Sequence, residues 1–183
     1  PVTKTFEFNF PSYKSMFKIF STYVKINKNL GKEPLSASRI IISAIKKGRF
    51  FNVIEAMASA NGFDTFFETE QGQIVEIGGS SNTTKGNMVV KVPFDFETDI
   101  QVIKNGQVYK ELPNNLKKII TLPIREPGAY RLEIYISDNT FNTLPWILSN
   151  PVFIGIDHST PLPIEPELKK MEELNKITLL EGR

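Results

Sequence analysis

The chain has no cysteine and a single histidine among 183 residues. The first absence excludes disulfides, thiolate zinc sites, iron–sulfur clusters and a cysteine nucleophile. The second excludes a multi-histidine metal centre and leaves one imidazole, His158, as a base. Long apolar runs are missing too. The longest, Ile40–Ile42 and Pro151–Ile156, fall far short of the roughly 18–20 residues a membrane span needs. No charged-then-apolar leader opens the sequence, and it starts Pro-Val-Thr rather than with Met, as expected of a piece of a longer protein. No compartment follows from these absences. What remains, 40% hydrophobic and 23% charged residues, suits a globular chain long enough to bury a core.

Charge is unevenly spread. Residues 1–61 carry 10 Lys/Arg and 3 Asp/Glu, a net of +7, whereas residues 62–157 carry 8 and 12, a net of −4. Residues 158–183 carry 4 and 5, a net of −1. Such a step places a boundary at Asn61-Gly62, and the hydrophobic period changes there as well. Upstream, Tyr13, Met16, Phe17 and Phe20 recur at helical spacing behind a Ser12 N-cap. Tyr23–Asn27 alternates as a short strand. Ser36 reads as a second N-cap before the stripe Ala37, Ile40, Ile41, Ala44 and Ile45, with Gly48 placed to end the helix. Asn52–Ala60 is expected to form one more short helix.

Beyond Gly62 the period falls to two, and nine short strands are expected between Phe63 and Ile156. Asn105-Gly106 marks a two-residue hairpin turn that needs positive φ at both positions. Pro127-Gly128-Ala129-Tyr130 opens a strongly alternating strand, the pattern of a tyrosine corner in immunoglobulin-like sandwiches. The expected fold class is therefore α+β: a short helical N-terminal segment (1–61), an immunoglobulin-like antiparallel β-sandwich (62–157), and a proline-rich linker with a C-terminal helix (158–183). In that last segment Pro161, Pro163 and Pro166 precede the three-residue stripe Leu168, Met171, Leu174, Ile177, expected to pack on the body or to bind a partner.

Few residues invite chemistry. Asp157-His158-Ser159 suggests a triad only superficially, because neighbours on an extended strand point to opposite faces; His158 reads as an exposed linker residue. Asp95, Glu97 and Asp99, and Asp64, Glu68 and Glu70, are candidate oxygen-ligand sets for Ca²⁺, but without the Gly-supported loop of an EF-hand they read as solvated strand faces. Gly78-Gly79-Ser80-Ser81-Asn82 lacks the Lys-Ser/Thr of a phosphate loop and reads as a flexible inter-strand connection. Lys14, Lys18, Lys25, Lys28, Lys32, Lys46, Lys47 and Arg49 surround Tyr13, Phe17, Phe20, Phe50 and Phe51. Those aromatics lie on core-facing positions, so no nucleic-acid partner is expected. Trp146 is the one candidate binding residue, a platform for sugar stacking if exposed and a core residue if not. No catalytic, cofactor-binding or metal residue is assigned.

Several segments resemble a known family. Phe10-Pro11-Ser12-Tyr13, Phe20-Ser21-Thr22-Tyr23-Val24, and Ala44-Ile45 followed by Lys46-Lys47-Gly48-Arg49-Phe50-Phe51 are similar to the closing part of the PHP superfamily (polymerase and histidinol phosphatase-like) in its CehA/McbA-like branch. Gly128–Tyr135 and Pro145-Trp146-Ile147-Leu148-Ser149-Asn150-Pro151-Val152-Phe153 resemble the β-rich domain that follows it. The resemblance spans about Phe10 to Gly155. It implies a parent that is a metal-dependent phosphoesterase or hydrolase using Zn, Mn or Mg. The family's His- and Asp-rich motifs lie upstream of the matched region, so no ligand carries over and no cofactor is expected in this fragment. Tyr23 stands where some relatives have His. The implied role is a non-catalytic accessory region whose cationic surface faces the missing N-terminal catalytic domain. A free-standing glycan- or protein-binding module and a homo-oligomeric assembly domain are the alternatives.

Overall fold

The computed structural model describes residues 19–27, 29–93, 96–137 and 143–156. Within them the chain forms twelve strands and one helix: β1 (Phe20–Val24), α1 (Pro34–Lys46), β2 (Phe50–Ile54), β3 (Asp64–Thr69), β4 (Ile74–Glu76), β5 (Ser80–Ser81), β6 (Gly86–Lys91), β7 (Thr98–Lys104), β8 (Gln107–Asn115), β9 (Ile119–Ile124), β10 (Gly128–Ile136), β11 (Ile147–Ser149) and β12 (Val152–Ile154). The C-terminal helix, His158 and the expected N-terminal helix up to residue 18 lie outside the described residues, but Phe20, the last residue of that helix's stripe, opens strand β1 opposite Ile54, and the strand spans Phe20–Val24 rather than Tyr23–Asn27. No described helix is long and apolar enough to cross a membrane.

The strands make an eight-stranded and a four-stranded sheet. Strand β10 is the spine of the larger one. Along one edge it pairs antiparallel with β7, from Tyr130↔Lys104 to Ile136↔Thr98, and β7 pairs in turn with β8. Along the other edge it meets β11 and β12 in succession. Strand β11 carries β2 and β1, and β12 carries the parallel β5. The smaller sheet runs β4-β3-β6-β9 and is wholly antiparallel.

Alternation buries one face of each sheet in a common core. From β10 come Tyr130, Leu132 and Ile134, and from β2 Phe51 and Val53. The smaller sheet contributes Phe67, Met88, Val90, Leu122 and Ile124 to the same cluster. Arg131, Glu133 and Tyr135 occupy the outward positions of β10, where Arg131 pairs with Glu133 and the Tyr135 hydroxyl donates to Glu133 at 2.7 Å. A mostly β chain with two facing sheets is thus present, as the period-two pattern predicts.

Three further local expectations differ. Asn52–Ala60 is not helical: Phe50–Ile54 is strand β2, with Phe51 and Val53 inward. Beyond it Ala60 is fully buried and Ala58 packs against the core. Helix α1 starts two residues before Ser36, because the Glu33 carboxylate accepts from the amides of Leu35 and Ser36 and Pro34 occupies the first turn, where its missing N–H costs nothing. Lastly, the charge step at Asn61-Gly62 is not a break in hydrogen bonding. Strand β2 pairs with β11, from Ile147↔Val53 to Ser149↔Phe51, so the segment before residue 62 is built into the larger sheet.

Candidate functional site

Two structural nodes and one open cleft account for the polar residues that stand out. The first node is the corner at the start of β10. The Tyr130 hydroxyl, on a fully buried side chain, donates to the Glu126 carbonyl at 2.9 Å, the bond expected from the Pro-Gly-Ala-Tyr pattern. Asn105 and Gly106 have φ of 53° and 90°, as the hairpin turn requires. The Asn105 side chain ties that turn to the corner by accepting from the Ala129 amide at 2.9 Å. Burial, with lesser help from Tyr109 and Glu126, pushes the Tyr130 phenol well above its ordinary pKa, and burial followed by the bond to Glu133 pushes Tyr135 up to about 12.

The linkage sign follows from those shifts. Below about pH 10 both phenols are neutral in folded and unfolded chains alike. Above it the unfolded chain loses protons that the folded chain keeps, so stability falls as pH rises toward the folded-state values. Tyr130→Phe should cost about 1 kcal/mol at neutral pH, and the gap should narrow above pH 10 because the variant has one fewer such group. Urea midpoints measured from pH 7 to 11 check this; a variant equal to the parent at pH 7, or a constant gap throughout, contradicts it.

The second node is Ser149-Asn150-Pro151, between β11 and β12. The register against β10 slips by one residue here: Glu133 faces Leu148, whereas Tyr130 faces Val152. The Ser149 hydroxyl fills the gap by accepting from the Leu132 amide at 2.8 Å. The Asn150 amide group donates to the Gly48 carbonyl at 3.0 Å, and the Pro151 carbonyl accepts from the Gly78 amide at 2.7 Å. One bulge therefore clamps the end of α1, the start of β2 and the β4–β5 connection. The Gly78–Asn82 stretch is accordingly not a free loop. Ser80–Ser81 forms β5, Gly79 accepts from the Phe153 amide at 2.9 Å, and the Gly155 amide donates to Ser81 at 2.7 Å.

Trp146 is fully buried. Its indole N–H donates to the Ala58 carbonyl at 2.7 Å, and its ring meets Phe96 at 5.3 Å. No ring face is open for a sugar, so the stacking platform gives way to a core residue that joins the Ala-rich segment to β11. Three of the acidic residues are likewise engaged. Asp99 accepts from the Asn114 amide and the Ser137 hydroxyl, Asp64 pairs with Lys25 and Lys91, and Glu70 with Arg125. Asp95 lies outside the described residues. No three His, Cys, Asp or Glu side chains among the described residues gather as metal ligands.

One open feature among the described residues is a cleft of about 310 Å³ between α1 and the strand ends that follow β1 and precede β2. Ser36, Arg39 and Ser43 line it from one face of α1, at i, i+3 and i+7, with Lys47 at the helix's C-cap. Lys25 and Arg49 line it from the strands, where the Lys25 amide donates to the Arg49 carbonyl at 2.8 Å. The Lys25 ammonium is committed to Asp64 and Glu76 of the smaller sheet. Arg39, Lys47 and Arg49 have no carboxylate partner among the described residues. Nearby, the Tyr23 hydroxyl donates to Glu55, a bond that raises its pKa ahead of burial. Sequence patterning had marked Lys25, Lys47 and Arg49 as cations and Ser36 as an N-cap, but had singled out neither Arg39 nor Ser43. The legible signal was the polar row at helical spacing beside the apolar stripe of α1. Compared with known proteins, the chain matches no family model, no curated protein and no solved structure.

Proposed function

We propose that this chain is the non-catalytic accessory region of a PHP-type metal-dependent phosphoesterase or hydrolase: an immunoglobulin-like sandwich with a helix that docks on the catalytic part. The observation that carries the docking role is the outward row of α1. Leu35, Ile42 and Ile45 are 67%, 51% and 43% exposed, and of the whole helix only Ala44 is buried. An amphipathic helix contributes to stability mainly through the face it buries, and α1 leaves much of its apolar surface to be covered by something else. The Tyr130 corner and the two facing sheets support the immunoglobulin-like reading. The resemblance of Gly48-Arg49-Phe50-Phe51 and Pro145–Phe153 to the PHP family supports the identity of the partner.

The test is the natural gene product with whatever precedes Pro1. His and Asp clusters upstream, together with Mn²⁺- or Zn²⁺-dependent cleavage of a phosphodiester, are expected, and the 183-residue chain alone should be inert. Ile42→Asp should leave this chain folded, since the side chain is half in water, yet loosen its hold on the upstream part in limited proteolysis. Phosphodiesterase activity in the isolated chain, or an upstream sequence without such clusters, overturns the reading.

A further inference from the structure

We propose that the cleft between α1 and the β1–β2 strand ends is a binding site for a small, multiply charged oxyanion of the phosphate-ester class. The site does not depend on the accessory role, because it uses the exposed polar row Ser36, Arg39 and Ser43 of α1 rather than the apolar Leu35, Ile42 and Ile45. Among the described residues, three cations border the cleft without a carboxylate to neutralise them, Arg39, Lys47 and Arg49, and no described Asp or Glu lines it. Like charges on facing positions repel unless something intervenes. Lys25 and Arg49 face each other across the extended β1–β2 ladder; Lys25 has Asp64 and Glu76, and Arg49 has no carboxylate among the described residues. Around a concave surface such uncompensated charge concentrates field and attracts anions.

The remaining lining sets the kind of anion. Asn27, Ser36 and Ser43 offer an amide and two hydroxyls to oxygen atoms beside the guanidinium groups, whose planar forks match phosphate geometry. Ile26, Ile40 and Ala44 form an apolar wall for a compact organic group. At about 310 Å³ the cleft lies at the small end of ligand sites, which fits a monoester and not a long polymer.

The test titrates the ¹⁵N-labelled 183-residue chain with inorganic pyrophosphate and with phenyl phosphate, at constant ionic strength. Saturable shift changes confined to residues 25–27, 36–49 and their neighbours are expected. Binding should weaken about five- to tenfold with Arg39→Gln or Arg49→Gln and lose saturation in the double variant; Lys110→Gln, on β8 in the larger sheet, should bind as the parent does. Phenyl phosphate should shift Ile26 and Ile40 where pyrophosphate does not. Should the double variant misfold, phenylglyoxal labelling of the parent gives the same answer: pyrophosphate should protect Arg39 and Arg49 more than Arg125 and Arg131. Non-saturating shifts spread over all surface lysines, unchanged affinity in the folded double variant, or equal protection of all four arginines overturns the proposal.

Discussion

Gly78→Ala should be among the most damaging single substitutions in the chain, costing about 3–5 kcal/mol or preventing folding outright. Gly78 has φ of +77°, and a Cβ there would stand 2.0 Å from the Lys47 carbonyl oxygen and 2.6 Å from the Gly48 carbonyl carbon. Both obstacles are backbone, so no rotamer change relieves them. The backbone that would have to move is pinned by the Gly78 amide bond to Pro151 and by the Asn150 bond to Gly48. Gly72→Ala supplies the control. Gly72 has φ of +79° but nothing within 4 Å of the added atom, so it reports left-handed strain alone, about 1–2 kcal/mol. Urea denaturation of the two variants separates strain from contact, and equal losses would remove the close crossing of Gly48 and Gly78 from the account. Gly48→Ala should fall between them, because its nearest backbone neighbour, the Gly78 Cα, lies at 3.3 Å.

That crossing also shows where sequence reading stops. The Asn105-Gly106 turn and the Tyr130 corner were legible because each is decided by a few adjacent residues whose conformational needs are specific. The strands of the smaller sheet were legible from alternation. Asn52–Ala60 misled because Ala56, Ala58 and Ala60 favour a helix locally, while the pairing of β2 with β11 and the claim of Trp146 on the Ala58 carbonyl decide the outcome from about ninety residues away, roughly the separation of Ala58 and Trp146. The Gly78–Asn82 stretch misled in the same way: two glycines read as freedom, but both are fixed by contacts to β12 and to the Pro151 carbonyl. The cationic cleft was half legible. Its charges were visible, but their convergence depends on α1 lying across the β1–β2 ends, and no local pattern encodes that placement. The charge step at residue 61 has a physical use in the fold, since Lys25 from the basic segment is neutralised by Asp64 and Glu76 of the acidic one.

Trp146→Ala should cost about 3–5 kcal/mol, the range for removing a large aromatic from a closed core. Trp146 ties its own strand end to β10 and to the β2–Ala58 segment. Its backbone N–H donates to the Ile134 carbonyl at 2.7 Å, its own carbonyl accepts from the Ile54 amide at 2.9 Å, and its indole holds the Ala58 carbonyl at 2.7 Å. Trp146→Phe keeps most of the apolar volume and the backbone bonds but leaves the Ala58 carbonyl without the indole donor, so about 1–3 kcal/mol should remain lost. The difference between the two variants measures cavity against hydrogen bond. As the sole tryptophan of the chain, Trp146 also reports on itself in the parent. Emission should be blue-shifted and poorly quenched by acrylamide in the folded state, and should move to the red with the same urea midpoint as far-UV circular dichroism. Emission already red-shifted and readily quenched before unfolding would mean an exposed ring. That result, joined with a stable Trp146→Ala variant, would return this residue to the role of a stacking platform.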